Sequence, residues 1–177
     1  DVAPRGGLVV DNHCRTSDPY IFAIGECASW NGSIFGLVAP GYSMARNVAA
    51  QLAGQHYDPF TGADMSTKLK LLGVDVGSIG DAHAATPGAK SYRFIDEASA
   101  SYRRLVVSAD GKHVLGAVLI GDNSYYDTLL QYAQNGIALP KDPSSLILPL
   151  SDGAPTLGAD ALPDTATICS CHNVTKG

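Results

Sequence analysis

TSDPYIFAIGEC, residues 16–27, is the stretch that most restricts how this chain can fold. Ile21 to Ile24 are apolar without alternation, as in a strand covered on both faces inside an α/β sheet. Gly25 follows, and a residue without a Cβ lets the backbone lie close to a ligand. Glu26 then falls at the carboxyl end of the predicted strand, where open α/β sheets place ligand-contacting groups. A carboxylate there accepts hydrogen bonds from sugar-like hydroxyls. Next comes PGYSMARNVAAQLAG, where Pro40 suits a helix's first turn, Met44, Val48 and Leu52 recur every four residues, and Gly54 supplies the stop. The start of that helix aims its N–H groups back at the same region and favours negative charge. Periodicity alone thus predicts strand, loop and amphipathic helix over residues 20–54. On periodicity alone, a strand that simply ends in a turn explains this pattern better than a ligand site does.

The flanking sequence fills in the organisation. Upstream, GGLVVD reads as a short strand. Downstream, TKLKLLGVDVGSIGD predicts two strands meeting at Gly73, and YRFID (92–96) a third. Leu105–Val107 and Val114–Ile120 predict a hairpin about Asp110-Gly111. Asp122 or Asn123 is expected to cap a helix whose inner face is Tyr126, Leu129, Leu130 and Ala133 and which Gly136 ends. Asp142-Pro143 opens one more short helix. Strands followed by a packed helix describe an α+β unit. Residues 149–167, PLSDGAPTLGADALPDTAT, have no sustained period and read as a linker.

Composition narrows the function classes. With 12 basic and 17 acidic residues the net charge is −5 and no basic stripe relieves it, which speaks against nucleic acid. The longest apolar run, VLGAVLIG (114–121), is strand-sized, so no membrane span is expected. Four sparse cysteines do not make a disulfide scaffold and point to a reducing cytoplasm. His56, His83 and His113 have no companion at metal-ligand spacing. Tyr125 and Tyr126 are expected between helix and sheet, and Arg103-Arg104 on an edge strand with solvated charges.

TSDPYIFAIGEC with GLVAPGYSMARNVAAQLAG after it resembles the second FAD motif of pyridine-nucleotide-linked flavoprotein reductases. The resemblance implies that Glu26, after Gly25, holds the ribityl chain of FAD. It also implies that the backbone at Val38 and Ala39 lies against the pyrimidine side of the flavin. The GEC ending and LVAPGY look most like the large subunits of NAD(P)H-dependent assimilatory nitrite reductases. The electron-transfer subunits of assimilatory nitrate reductases are similar. Residues 60–148 resemble the reductase C-terminal, or interface, domain. ICSCHNVTKG resembles the start of a domain like bacterioferritin-associated ferredoxin, in which Cys169 and Cys171 would be the first two of four thiolates on a 2Fe–2S cluster.

No G-x-G-x-x-G phosphate loop occurs in these residues. Members of the family carry one for FAD and one for NAD(P)H upstream of this stretch, and the second cysteine pair would fall beyond Gly177. The chain is therefore expected to be an excerpt that binds FAD poorly or not at all by itself. Its parts would be a C-terminal remnant of an α/β FAD-binding domain (1–55), an interface domain of antiparallel strands plus helices (56–148), and a linker with the start of the 2Fe–2S domain (149–177). The implied route runs from NAD(P)H to FAD, then through iron–sulfur centres, 4Fe–4S among them, to siroheme and nitrite. Expected partners are the rest of the parent chain and a small subunit or second copy. Three other readings carry weight: the nitrate reductase electron-transfer subunit; a ferredoxin- or rubredoxin-reductase-type flavoprotein, against which the ICSCHNVTKG ending argues; and a purely interacting or dimerising role for residues 60–148.

Overall fold

The structure, a computed structural model, describes residues 1–149, 157–169 and 174–177, with Ala159 and Cys169 described in their backbone alone. The chain divides into two units, Asp1–Met65 and Ser66–Gly177.

In the first unit, β1 (Leu8–Val10) pairs in parallel with β2 (Ala28–Trp30), and β3 (Ser33–Ile34) returns antiparallel to β2. The 15-residue helix α1 (Val38–Leu52) follows. Val10, Cys14, Ala23, Ala28, Phe35, Met44 and Phe60 form the core. Phe60 meets the rings of Trp30 and Phe35 edge-on, at centroid distances of 5.4 and 5.5 Å.

The predicted strand at Ile21–Ile24 is not one. Phe22 makes a single antiparallel bridge with Arg15, and Ile21 and Ile24 are 52% and 39% exposed. A buried strand needs a hydrogen-bonded neighbour on each side. Here the backbone bonds instead to residues just before it, with Thr16 N–H donating to Ile21 O and Ala23 N–H to Cys14 O, both at 3.0 Å. The ladder beside β1 goes to Ala28–Trp30. The expected inward position of Leu52 also needs correcting, since that residue is exposed and Asn47 is buried. At 100° per residue, Leu52 has turned about 80° away from Met44. Asn47 stays inside because its amide donates to Asp58 O and its oxygen accepts from Gln51 Nε2 at 2.6 Å.

The second unit is built on a five-stranded antiparallel sheet. Its strands are β4 (Thr67–Leu71), β5 (Val74–Gly80), β6 (Lys90–Asp96), β7 (Ser101–Val107) and β8 (Val114–Ile120), in the order β4-β5-β8-β7-β6. Leu72 and Gly73, at φ of 49° and 86°, make the tight β4–β5 turn, and Gly111 at 75° serves the β7–β8 turn. Helix α2 (Tyr126–Gln134) and a 3-10 turn at Pro143–Leu146 take part in the core, where Tyr125, Tyr126, Leu129, Leu146 and Ile147 join Ile79, Leu105, Ala117 and Leu119. Asp142 accepts from Ser144 N–H and so caps the 3-10 turn.

Two local expectations change. Asp122 does not cap α2, which has no side-chain cap; its carboxylate accepts from Ser124 N–H two residues on. The Arg103-Arg104 strand is not an edge, because β7 lies between β8 and β6, and Arg103 is only 6% exposed. Of the expected linker, residues 150–156 lie outside those described. Beyond them β9 (Thr167–Cys169) pairs with β10 (Val174–Thr175). Asn135, just after α2, and Gln131 within it hold β9, accepting from Thr167 N–H at 2.9 Å and donating to Thr167 O at 3.3 Å. Among the described residues no helix is long and apolar enough to cross a membrane.

Candidate functional site

The site at Gly25-Glu26 is prepared by the residues before it. Thr16 Oγ1 accepts from Asp18 N–H (3.1 Å) and the Asp18 carboxylate from Tyr20 N–H (2.9 Å), so TSDPY closes as two overlapping turns. The chain then runs extended through Ile24, at φ −137° and ψ 156°, into a 3-10 turn at Gly25–Cys27. Gly25 takes φ +72°, in the left-handed region where a Cβ is penalised. Ala28 N–H donates to Gly25 O and closes the turn before β2.

Helix α1 lies alongside. A Cβ placed on Gly41 in its first turn would stand 3.5 Å from Gly25 Cα. Gly25 N–H donates to Met44 Sδ one turn further along, at 3.3 Å. Helix α1 begins after Leu37 with no side-chain cap and no acidic residue in its first turn, so its leading N–H groups are free to receive negative charge. Val38 and Ala39, the first two helical residues, are both exposed.

The Glu26 side chain is exposed and makes no hydrogen bond or ion pair among the described residues. It lies over the loop that leads into α1: a Cβ on Gly36 would come within 3.0 Å of Glu26 Oε1. The structure thus brings Gly25 and Glu26 beside the start of α1. Gly36, Gly41 and Met44 are the residues sequence reasoning missed. Gly36 and Gly41 stand in the quoted GLVAPG run, but only the fold shows which of them faces the carboxylate. This set of groups fits a hydroxyl-bearing, anionic dinucleotide such as FAD. A cavity of about 530 Å³ elsewhere in this unit is lined by Ala3, Arg5, Ser29 and Ser33 among others and includes none of these residues.

The predicted metal ligands stand apart. Cys169 is the last residue of β9; its side chain, like the whole of Cys171, lies outside the described residues. Among the described residues no group of three or more His, Cys, Asp or Glu is placed to hold a metal ion. Cys14 is fully buried, and burial, helped by the Asp11 charge, pushes its thiol up to about 11, which makes it a packing residue.

Known proteins give this geometry a class. Residues 66–137 match the rubredoxin NAD+ reductase C-terminal domain family. A solved FAD-dependent pyridine nucleotide-disulphide oxidoreductase from Desulfovibrio vulgaris superposes with a TM-score of 0.51 at 28% identity, over 68% of this chain and 32% of that one. The fold is thus that of pyridine nucleotide-linked flavoprotein reductases.

The nitrite reductase (NADH) large subunit of Escherichia coli is 60% identical over 179 residues, which cover 100% of this chain and 21% of that protein. The assimilatory nitrate reductase electron transfer subunit of Bacillus subtilis is 33% identical over 97% of this chain and 21% of its own length. The chain thus matches the nitrite reductase large subunits along its whole length while spanning about a fifth of theirs.

Proposed function

We propose that this chain forms one wall of the flavin site in an NAD(P)H-driven reductase that converts nitrite to ammonia. The observation that carries the reading is the unpartnered Glu26 carboxylate, held beside the uncapped start of α1 over a glycine. Identity of 60% to an NADH nitrite reductase large subunit supports the choice of acceptor. When bound, FAD would accept hydride from NAD(P)H and release electrons singly. Glu26 would accept hydrogen bonds from its ribityl hydroxyls. The backbone N–H groups at Val38 and Ala39 would hold the flavin on its pyrimidine side, because the start of a helix favours negative charge. The second unit is the scaffold that carries the chain onward to Cys169 and Cys171, two thiolate ligands of a 2Fe–2S cluster. The rest of the enzyme supplies the remaining cluster ligands, the 4Fe–4S centre and siroheme. Free, unbridged Cys14 and Cys27 agree with a reducing cytoplasm.

The test is made in the full-length protein. Oxidation of NADH should depend on nitrite and yield ammonium, and Glu26→Gln should lower the flavin content of the purified protein. Cys169→Ser and Cys171→Ser should each lower bound iron and acid-labile sulfide by the content of one 2Fe–2S cluster while leaving FAD bound. Flavin retained at full occupancy in Glu26→Gln would refute the flavin assignment. The 33% match to a nitrate reductase electron-transfer subunit gives a second reading, in which the same modules serve another terminal acceptor. Turnover with nitrite decides between them.

A further inference from the structure

Two features of the fold bear on where the Glu26 carboxylate lies: the bare loop backbone at Gly36 and the turn at Gly25. The loop backbone at Gly36 comes so near Glu26 Oε1 that an added Cβ would leave 3.0 Å, tighter than ordinary van der Waals contact. The group that must give way is the tip of a flexible side chain, so the cost of a methyl here falls on the carboxylate's position and not on the fold.

At the turn, Gly25 N–H points into the core of its unit and meets the sulfur of Met44 at 3.3 Å. Met44 is fully buried, and its thioether is the acceptor this N–H finds. A buried N–H without an acceptor is costly, so the sulfur favours the turn conformation seen here. That conformation needs the left-handed φ of Gly25, and it decides which way the next side chain, Glu26, projects. Gly41 provides the contrast. It too packs on the turn, yet a Cβ there would sit 3.5 Å from Gly25 Cα, which is ordinary contact.

From this geometry we infer that Gly36 and Met44 are positioning residues for the flavin site, acting through Glu26 without contacting the cofactor. The inference rests on the reading of Glu26 as the ribityl ligand. Gly36 leaves room for the carboxylate to lie over the loop, and Met44 sets the turn from which it projects. Sequence pattern cannot make this assignment, because Met44 occupies a helical core position that Leu fills equally well by hydropathy.

The experiment measures FAD affinity in the full-length apo-protein by quenching of flavin fluorescence, with melting of the apo-protein recorded alongside. Gly36→Ala should weaken FAD by about fivefold, the worth of one ordinary hydrogen bond. Its melting temperature should stay put. Glu26→Asp, whose carboxylate is shorter by one methylene, should relieve the crowding, so that Gly36→Ala costs less in that background. Met44→Leu conserves volume and removes the acceptor, so it should weaken FAD and lower melting by no more than the loss of one buried hydrogen bond. Two results would each overturn the inference. One is an equal loss on Gly36→Ala in the parent and in the Glu26→Asp background. The other is parental affinity in both Gly36→Ala and Met44→Leu. If Glu26→Gln itself leaves affinity unchanged, the flavin reading fails, and that failure is separate from this one.

Discussion

Arg103 Nη2 donates to Asp122 Oδ2 across 2.7 Å, which ties the interior of β7 to the segment just after β8. The same guanidinium donates from Nη1 to Ile147 O at 3.0 Å. Its Cζ stands 3.9 Å from the Tyr125 ring centroid and 5.2 Å from that of Phe94. One side chain therefore links the sheet, the start of α2 and the 3-10 turn. Arg suits this place because its planar fork stacks on rings while it donates in two directions.

Removing that side chain should unfold the second unit at lower denaturant. Arg103→Ala leaves the Asp122 carboxylate and the Ile147 carbonyl without their donor and opens a gap between two rings. The expected loss is about 2–3 kcal/mol, read from urea midpoints. Arg103→Met refills the slot between Phe94 and Tyr125 and should cost about half as much. Asp122 keeps 38% of its side-chain surface in water, which limits the penalty for leaving it unpaired. A midpoint for Arg103→Ala equal to the parent's would contradict the linking role.

Acid should act through the same pair. Partial burial by itself would raise the Asp122 carboxyl. Hydrogen bonds from Ser124 and from Arg103, with the Arg103 charge, outweigh burial and hold it below the usual carboxylate value. A carboxyl depressed in the folded state adds stability that is complete above its unfolded value, about 3.9, and is lost as pH falls through the folded one. Stability should therefore drop on acidification below about pH 3.9. Asp122→Asn should flatten that part of the profile, as followed by urea unfolding at stepped pH. An unchanged acid limb in Asp122→Asn would assign the loss to other carboxylates.

How much of this was legible beforehand follows from how local each feature is. The turns at Leu72-Gly73 and Asp110-Gly111 and the helix stop at Gly54 are set by a few adjacent residues, and sequence placed all three. The run Ile21–Ile24 misled because apolar content reports burial, whereas a strand also needs partners for its N–H and C=O groups. Arg103 misled for a related reason. A charged pair in a strand reads as an edge until a carboxylate 19 positions away and a carbonyl 44 positions away are brought to it. At the site, Gly25 and Glu26 were readable as a motif, while the thioether behind them became visible only in three dimensions.

The β4–β5 turn offers a gain in stability. Leu72 is 97% exposed and sits at φ 49°, so it carries left-handed strain and returns no packing. Paired left-handed residues in a two-residue hairpin favour Asn followed by Gly. Leu72→Asn should raise stability by about 1 kcal/mol, seen as a higher melting temperature. A lower melting temperature would mean that Leu72 is buried against something in the working protein.

Thiol chemistry should separate the two described free cysteines. Cys14 has no exposed surface, and its thiol, pushed up to about 11 by burial and by Asp11, is deprotonated in only about one molecule in a thousand at pH 8. Cys27 is exposed in the turn beside Glu26, where its thiol donates to Ile24 O at 3.3 Å. Iodoacetamide at pH 8, followed by peptide mapping, should modify Cys27 within minutes and leave Cys14 intact until denaturant is added. Because Cys14 packs in the same core as Met44, its labelling rate reports how often that core opens. Rapid labelling of Cys14 under native conditions would show that the core supporting the Gly25 turn opens readily, which is incompatible with a carboxylate fixed for cofactor binding.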